Sequence, residues 1–221
     1  MRDLIQLVAW TAFIAALILW PAGTLAFPAA WVLIGLFAFG GSAVILWLAR
    51  HSPSLLRERM ASPIQRTQKP WDRVWLMLFL LAFFGWMAFM GWDAARTGFV
   101  AVPPWLQVLG ALGVLAEFFG VWWTFRENAF AAPVVKIQEN QKVIDTGPYA
   151  IVRHPMYTSA LFLFIGVPLL LGSWLGLLFS MLFILAIAWR AVREEHTLRD
   201  ELIGYKDYAA RVRYRFIPFV W

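Results

Sequence analysis

The sequence predicts an all-helical integral membrane protein: a polytopic bundle of about six membrane helices, ending in a helical hairpin and a polar C-terminal helix. Three observations predict it. Of the 221 residues, 62% are apolar and only 14% charged, against about 45–50% and about 25% in ordinary soluble domains. Apolar stretches recur six times along the chain, at about the length a bilayer requires. Finally, 18 of the 19 lysines and arginines fall in alternate connections between those stretches.

The six stretches are residues 4–20, 28–49, 74–92, 105–125, 156–171 and 174–189. A full crossing needs roughly 20 apolar residues, which the middle ones supply. The last two are shorter and separated only by Gly172 and Ser173, so they read as a tight helical hairpin. Arg2 before the first stretch is reminiscent of a signal peptide. Asp3 and the lack of a small-residue cleavage site speak for a retained span.

Basic residues accumulate on the cytoplasmic side of membrane proteins. With six alternating spans and the amino terminus inside, only Arg96 is left outside. Both termini then face the cytoplasm. A net charge of +6 could point to nucleic acid, but these charges flank hydrophobic spans, where anionic headgroups meet them. No nucleic-acid role is expected. The absence of cysteine excludes disulfides, zinc–thiolate sites, thiol catalysis and prenylation of this chain.

Pro53, Pro63 and Pro70 punctuate the connection 50–73, and Pro103 and Pro104 open the fourth stretch. Residues 127–145 mix polar and β-branched types and read as an ordered loop with a short extended piece. After Trp189 the chain is strongly charged, yet Leu198, Leu202, Tyr205, Ala209 and Val212 recur at helical spacing. That pattern predicts a packed or interfacial helix, interrupted near Gly204 and ended before Pro218.

Chemistry concentrates in residues 146–157, TGPYAIVRHPMY. Pro155 suits the first turn of the fifth helix, where its missing N–H is not needed. His154 then falls at the N-cap, and free amides there, with Arg153, would form an anion site. Tyr157 lies one turn further in. Taken singly, Arg153 is equally an interfacial anchor, Tyr149 and Tyr157 aromatic-belt residues, and His154 a cap. Their concentration around two prolines and a glycine is what points to a site. Glu194 and Glu195 follow the last stretch on the same side. Helical neighbours diverge by about 100°, so only one of them can face that site. The other would be solvated, or paired with Arg190 or Arg199. Glu117 is the one acid deep within a stretch. Burying it in a bilayer costs roughly 3 kcal/mol, so it should face the bundle interior, paired or protonated.

The 146–157 block, an apolar hairpin, and the tail REEHTLRDELIGYKDYAARVRYRFIP together resemble the carboxy-terminal half of the isoprenylcysteine carboxyl methyltransferase family, which includes phospholipid methyltransferase relatives. The resemblance covers roughly residues 128–221, while the first four spans match only in hydropathy. It divides the chain into membrane helices 1–125 and a methyltransferase core 126–221 within one structural domain. It implies S-adenosylmethionine as cofactor, with S-adenosylhomocysteine as product, held on the cytoplasmic side. Gly147, Pro148, Tyr149, Arg153, His154 and Tyr157 match the cofactor motif. Glu194 matches the tail glutamate beside the cofactor, Glu195 is its variable neighbour, and Arg211 falls on the tail arginine at the reacting centre.

The resemblance further implies a lipophilic small-molecule or lipid acceptor entering from the bilayer, methylated on a carboxylate, amine or thiol. The compact form is similar to bacterial members, which implies the bacterial inner membrane. Two other functions fit part of the pattern. Membrane sterol or enone reductases using NADPH carry a similar RHxxY segment, although the GPY approach here differs. A non-catalytic transport protein would need a polar path through several spans, where Glu117 stands almost alone.

Overall fold

The computed structural model describes residues 2–97 and 101–221. The side chains of Arg2 and Asp3, read above at the start of the first span, lie outside the described residues. The elements are α1 (Arg2–Ala22), α2 (Pro28–His51), α3 (Pro53–Arg59), α4 (Pro70–Trp92) with a π-helical extension (Asp93–Thr97), α5 (Pro104–Glu127), a 3-10 turn (Gly147–Ala150), α6 (Pro155–Leu171), α7 (Trp174–Glu201) and α8 (Tyr205–Arg211). No strand occurs among the described residues. The piece expected to be extended within 127–145 is instead an irregular ordered loop.

Proline starts five of these helices, at Pro28, Pro53, Pro70, Pro104 and Pro155. Its fixed φ suits the first helical position, and no N–H bond is lost there. Among the described residues, four helices are long and apolar enough to cross a membrane: α2, α4 with its extension, α5 and α7. The whole of α6 is shorter, as is Val8–Ala22, the part of α1 whose side chains are described. The chain is an integral membrane bundle.

Two elements differ from expectation. Seven-residue α3 was read as loop, and it folds because Pro53 starts it and Leu55 is buried beside Leu48, Phe125 and Ala131. The final hairpin is unequal, since α7 continues twelve residues past Trp189. Ile187, Arg190, Ala191 and Glu195 are all buried at helical spacing, so the packed face runs on although its chemistry turns from apolar to charged. Between α6 and α7, Gly172 adopts φ 87°, a left-handed conformation that favours glycine. Ser173 caps α7, accepting from the Gly176 amide at 2.9 Å and donating to Asp93 at 2.6 Å.

The closest packing is between α5 and α6. A methyl group at Gly110 would stand 2.5 Å from the Leu170 nitrogen and 2.6 Å from the Gly166 oxygen, and one at Gly120 would collide with Ser159. Small residues let the two backbones approach, which replaces the hydrophobic drive that lipid cannot supply. Ile18, Leu33, Met87, Val114 and Val167 fill the centre, while Leu81, Val108, Leu178, Leu182 and Leu185 stay exposed on the outer faces.

The two ends of the bundle differ in charge. Arg96 and Asp93 lie near Ala22 and Ser173 at one end. Apart from Arg2, all other lysines and arginines are at the opposite end, with the 128–146 loop, the start of α6 and the tail.

Gly166→Ala should therefore destabilise the protein by about 1–3 kcal/mol through backbone overpacking, read as a lower melting temperature in detergent. Gly35→Ala, where nothing lies within 4 Å, should leave it unchanged.

Candidate active site

The site begins where α5 ends. Gly147 takes φ 56°, and a side chain there would stand 2.4 Å from the Glu127 Cγ, so both conformation and space demand glycine. Thr146 donates to Glu127 Oε2 at 2.9 Å. The turn carries Tyr149 inward, where its hydroxyl accepts from Asn128 at 2.8 Å. Its carbonyl accepts from the Tyr208 hydroxyl at 2.8 Å.

Arg153 and Glu195 join the two motif-bearing segments. The Arg153 Nε and Nη2 donate to Glu195 at 2.7 and 3.3 Å, and Nη1 donates to the carbonyls of Val212 and Arg213 at 2.9 and 3.0 Å. His154 Nε2 lies 3.2 Å from Glu195 Oε1, and Arg215 Nη2 lies 3.2 Å from Oε2. The main chain is tied as well: the Arg153 and His154 amides donate to the Tyr214 and Arg215 carbonyls, and Thr158 donates to the Phe216 carbonyl. His154 does stand at the N-cap of α6. The tail occupies the Arg153 and His154 amides just before the helix, while the first-turn amides of Tyr157 and Thr158 turn back to the His154 carbonyl, because a buried N–H needs a partner. Arg153, 7% exposed, is likewise committed to Glu195 rather than left for a ligand anion, since a buried charge is tolerated only when paired.

A second relay fixes the other acid. Asp72, fully buried in the first turn of α4, accepts from Arg190 Nε at 2.8 Å, Gln68 at 2.9 Å and the Val135 amide at 2.8 Å. Arg190 Nη1 donates to the Tyr157 hydroxyl at 3.0 Å, and that hydroxyl donates to Glu194 Oε2 at 2.6 Å. Arg190 also lies over the Trp75 ring, 4.8 Å from its centre. Neither Asp72 nor the bridging role of Arg190 was singled out from sequence. Each reads there as an ordinary charge at the end of a span, and their partners are distant in the chain.

Between loop, α6, α7 and α8 lies a cleft that is partly open to solvent. Of the residues expected at the site, Tyr149, Arg153, His154, Tyr157 and Glu194 line it. Gly147 and Pro148 shape the turn behind Tyr149, and Glu195 points away into the Arg153 cluster, as the divergence of helical neighbours requires. Arg211 is not brought to the cleft. It ends α8 on an exposed face and pairs with Asp145 at 2.6 Å, so the arginine among the lining residues besides Arg153 is Arg190. Glu117 sits on the α6-facing stripe of α5, and its Oε2 is buried without a hydrogen-bond partner.

The lining suits a cation-bearing ligand with polar ends. Glu194 offers a carboxylate, and Tyr149 and Tyr157 offer aromatic faces. The hydroxyl of Tyr205, 4% exposed and lining the cleft, has no hydrogen-bond partner among the described residues. A buried orphan of this kind is expected to meet a ligand or water. A sulfonium nucleoside such as S-adenosylmethionine fits this set of groups.

The model of the phospholipid methyltransferase family matches residues 105–202. That stretch belongs to the membrane methyltransferase family. It runs from α5 through the loop, α6 and α7, and it contains every cleft residue named above except Tyr205 and Tyr208. The match begins upstream of the sequence motifs, taking in the α5 glycines that pack on α6, and ends before α8 and the tail. No curated protein matches the chain.

Breaking the Arg153–Glu195 pair from one side, as in Glu195→Gln, should destabilise the protein by about 3–5 kcal/mol. It should also expose Arg213 and Arg215 to trypsin, checked by melting and limited proteolysis. Burial pushes the phenols of Tyr149, Tyr205 and Tyr208 above their usual value. The folded state therefore keeps them neutral after the unfolded chain begins to ionise near pH ~10. Their contribution to stability is complete below that pH and is lost as pH rises further. Unfolding should sharpen the ultraviolet phenolate transition and lower its midpoint.

Proposed function

We propose that this protein transfers a methyl group from S-adenosylmethionine to a lipophilic or lipid acceptor at the cytoplasmic face of a membrane, the bacterial inner membrane. The observation that carries the reading is the Glu194 carboxylate, held by Tyr157 in a cleft that loop and tail enclose from both sides. When bound, S-adenosylmethionine supplies an electrophilic methyl group on a sulfonium sulfur and leaves as S-adenosylhomocysteine.

The residues would act mainly by alignment and by exclusion of water. Glu194 and the faces of Tyr149 and Tyr157 favour positive charge at the end of the cleft nearest α7. Tyr205 and Asn128 offer hydrogen bonds to the polar parts of the cofactor. The Asp72–Arg190–Tyr157 relay keeps Glu194 from rotating out. An acceptor amine or thiol must lose a proton, and Glu194 is the acid positioned to take it. His154 is less suited, because its Nε2 already faces Glu195. An acceptor carboxylate needs no base. The acceptor enters sideways from the bilayer, where the exposed apolar faces lie, and the basic end of the bundle faces the cytoplasm.

S-adenosylhomocysteine at about 100 times its Kd should stabilise the purified protein by about 2.7 kcal/mol, whereas NADPH should leave its melting temperature unchanged. The opposite pattern would transfer the chain to the reductases. Glu194→Gln should lower transfer of labelled methyl to membrane lipids by about 10²–10⁴-fold if Glu194 takes a proton. Because the chain lacks cysteine, Ser62→Cys and Thr24→Cys give clean topology probes. Ser62→Cys should react with an impermeant maleimide only after the cytoplasmic side is opened, and Thr24→Cys from outside in intact spheroplasts.

A further inference from the structure

Arg59, at the end of α3, is half-buried beside the cleft without a counter-charge. Among the described residues it forms no ion pair, in contrast with Arg153 and Arg190. Its Nη1 reaches only the Ala131 carbonyl at 3.3 Å and the Met156 sulfur at 3.6 Å, both weak contacts for a guanidinium. The group lies over the Phe125 ring, 4.8 Å from its centre. Burial, with the like charge of Arg190, pushes its pKa down to about 10, against the opposing influence of Tyr157 and Glu117. The neighbouring acid Glu58 is engaged by Lys136 at 2.7 Å.

Position gives this spare cation a meaning. Ala131 and Met156, its two contacts, are themselves walls of the cleft. The same two residues border an apolar cluster of Leu48, Leu55, Phe125 and Ala131, with Trp47, Val44, Val121 and Met156 packed around it. Arg59 therefore stands between an apolar helix surface and the compartment that holds Glu194. A guanidinium binds oxyanions in a bidentate manner and is desolvated at less penalty than an ammonium. A partly desolvated arginine without a carboxylate is an unmet demand for negative charge.

We propose that Arg59 binds an oxyanion of the acceptor, the phosphodiester or carboxylate of a lipid whose chains lie on the α2–α5 surface. The acceptor role rests on the methyl-transfer reading, but the binding itself does not. Arg59 is a positioning residue: it fixes the head group at the Met156 wall, so that the atom to be methylated projects toward Glu194.

The test uses the full chain in detergent. It is incubated separately with dioleoyl phosphatidylethanolamine, oleic acid and dioleoylglycerol, and retained lipid is counted by native mass spectrometry. The wild-type protein should retain one of the two oxyanion lipids about tenfold better than the diacylglycerol. The phospholipid arm identifies a phosphodiester and the fatty-acid arm a carboxylate. Arg59→Gln should abolish the preference and Arg59→Lys restore part of it. Stabilisation by S-adenosylhomocysteine should be equal in all three proteins, which also reports folding. Retention without preference in the wild type, or an unchanged preference in Arg59→Gln, would overturn the proposal. Loss of S-adenosylhomocysteine stabilisation in the wild type would instead overturn the donor reading and leave the lipid result standing.

Discussion

Everything at the polar end of this bundle depends on one buried ion pair. Arg153 and Glu195 are 42 residues apart in the chain, one just before α6 and the other near the end of α7. Burying either alone would cost several kcal/mol, and burying both is tolerable only because the Arg153 donors and Glu195 oxygens find partners. The pair thereby draws the tail carbonyls of Val212 and Arg213 onto Arg153, and the main chain at 214–215 onto the amides before α6. A tail rich in arginine would otherwise be drawn toward water and headgroups. Closure of the cleft is thus a consequence of charge satisfaction, reinforced by the packing of Phe216 against His154 and Tyr157.

The adjacent glutamates divide two tasks that a single acid could not perform. Glu195 is consumed by structure, surrounded by Arg153, His154 and Arg215. Glu194, turned about 100° away, has one neutral hydroxyl partner in Tyr157 and remains in the cleft. The relay behind it reaches across the bundle to Asp72 on α4. An N-terminal span therefore supports the site through Asp72, although the family match starts only at residue 105.

Rigid support comes from the membrane part. The glycines of α5 and Gly166 of α6 bring the two helices within backbone contact, so the end of α5 and the start of α6 are held in fixed relation. The loop 128–146 spans those two points. Its middle is pinned by the Val135 amide on Asp72 and the Val135 carbonyl on the Lys69 amide, which is why a segment without regular structure can still form a wall.

Hydropathy, proline placement and charge alternation sufficed to determine the membrane helices, their order and the basic end, though not α3 or the full length of α7, because membrane insertion is governed by length and composition along the chain. That Tyr149, His154, Tyr157 and Glu194 meet at one cleft was legible for a related reason: their chemical types cluster locally around helix ends. What the sequence left open was which of two neighbouring glutamates faces inward, that Arg153 serves the tail, that Arg211 pairs outward with Asp145, that Arg190 and Tyr205 line the cleft, and that Asp72 stands behind Arg190. Those outcomes depend on partners tens of residues away. Only the packed helices decide which buried charges meet, and therefore which side chains are left over for a ligand.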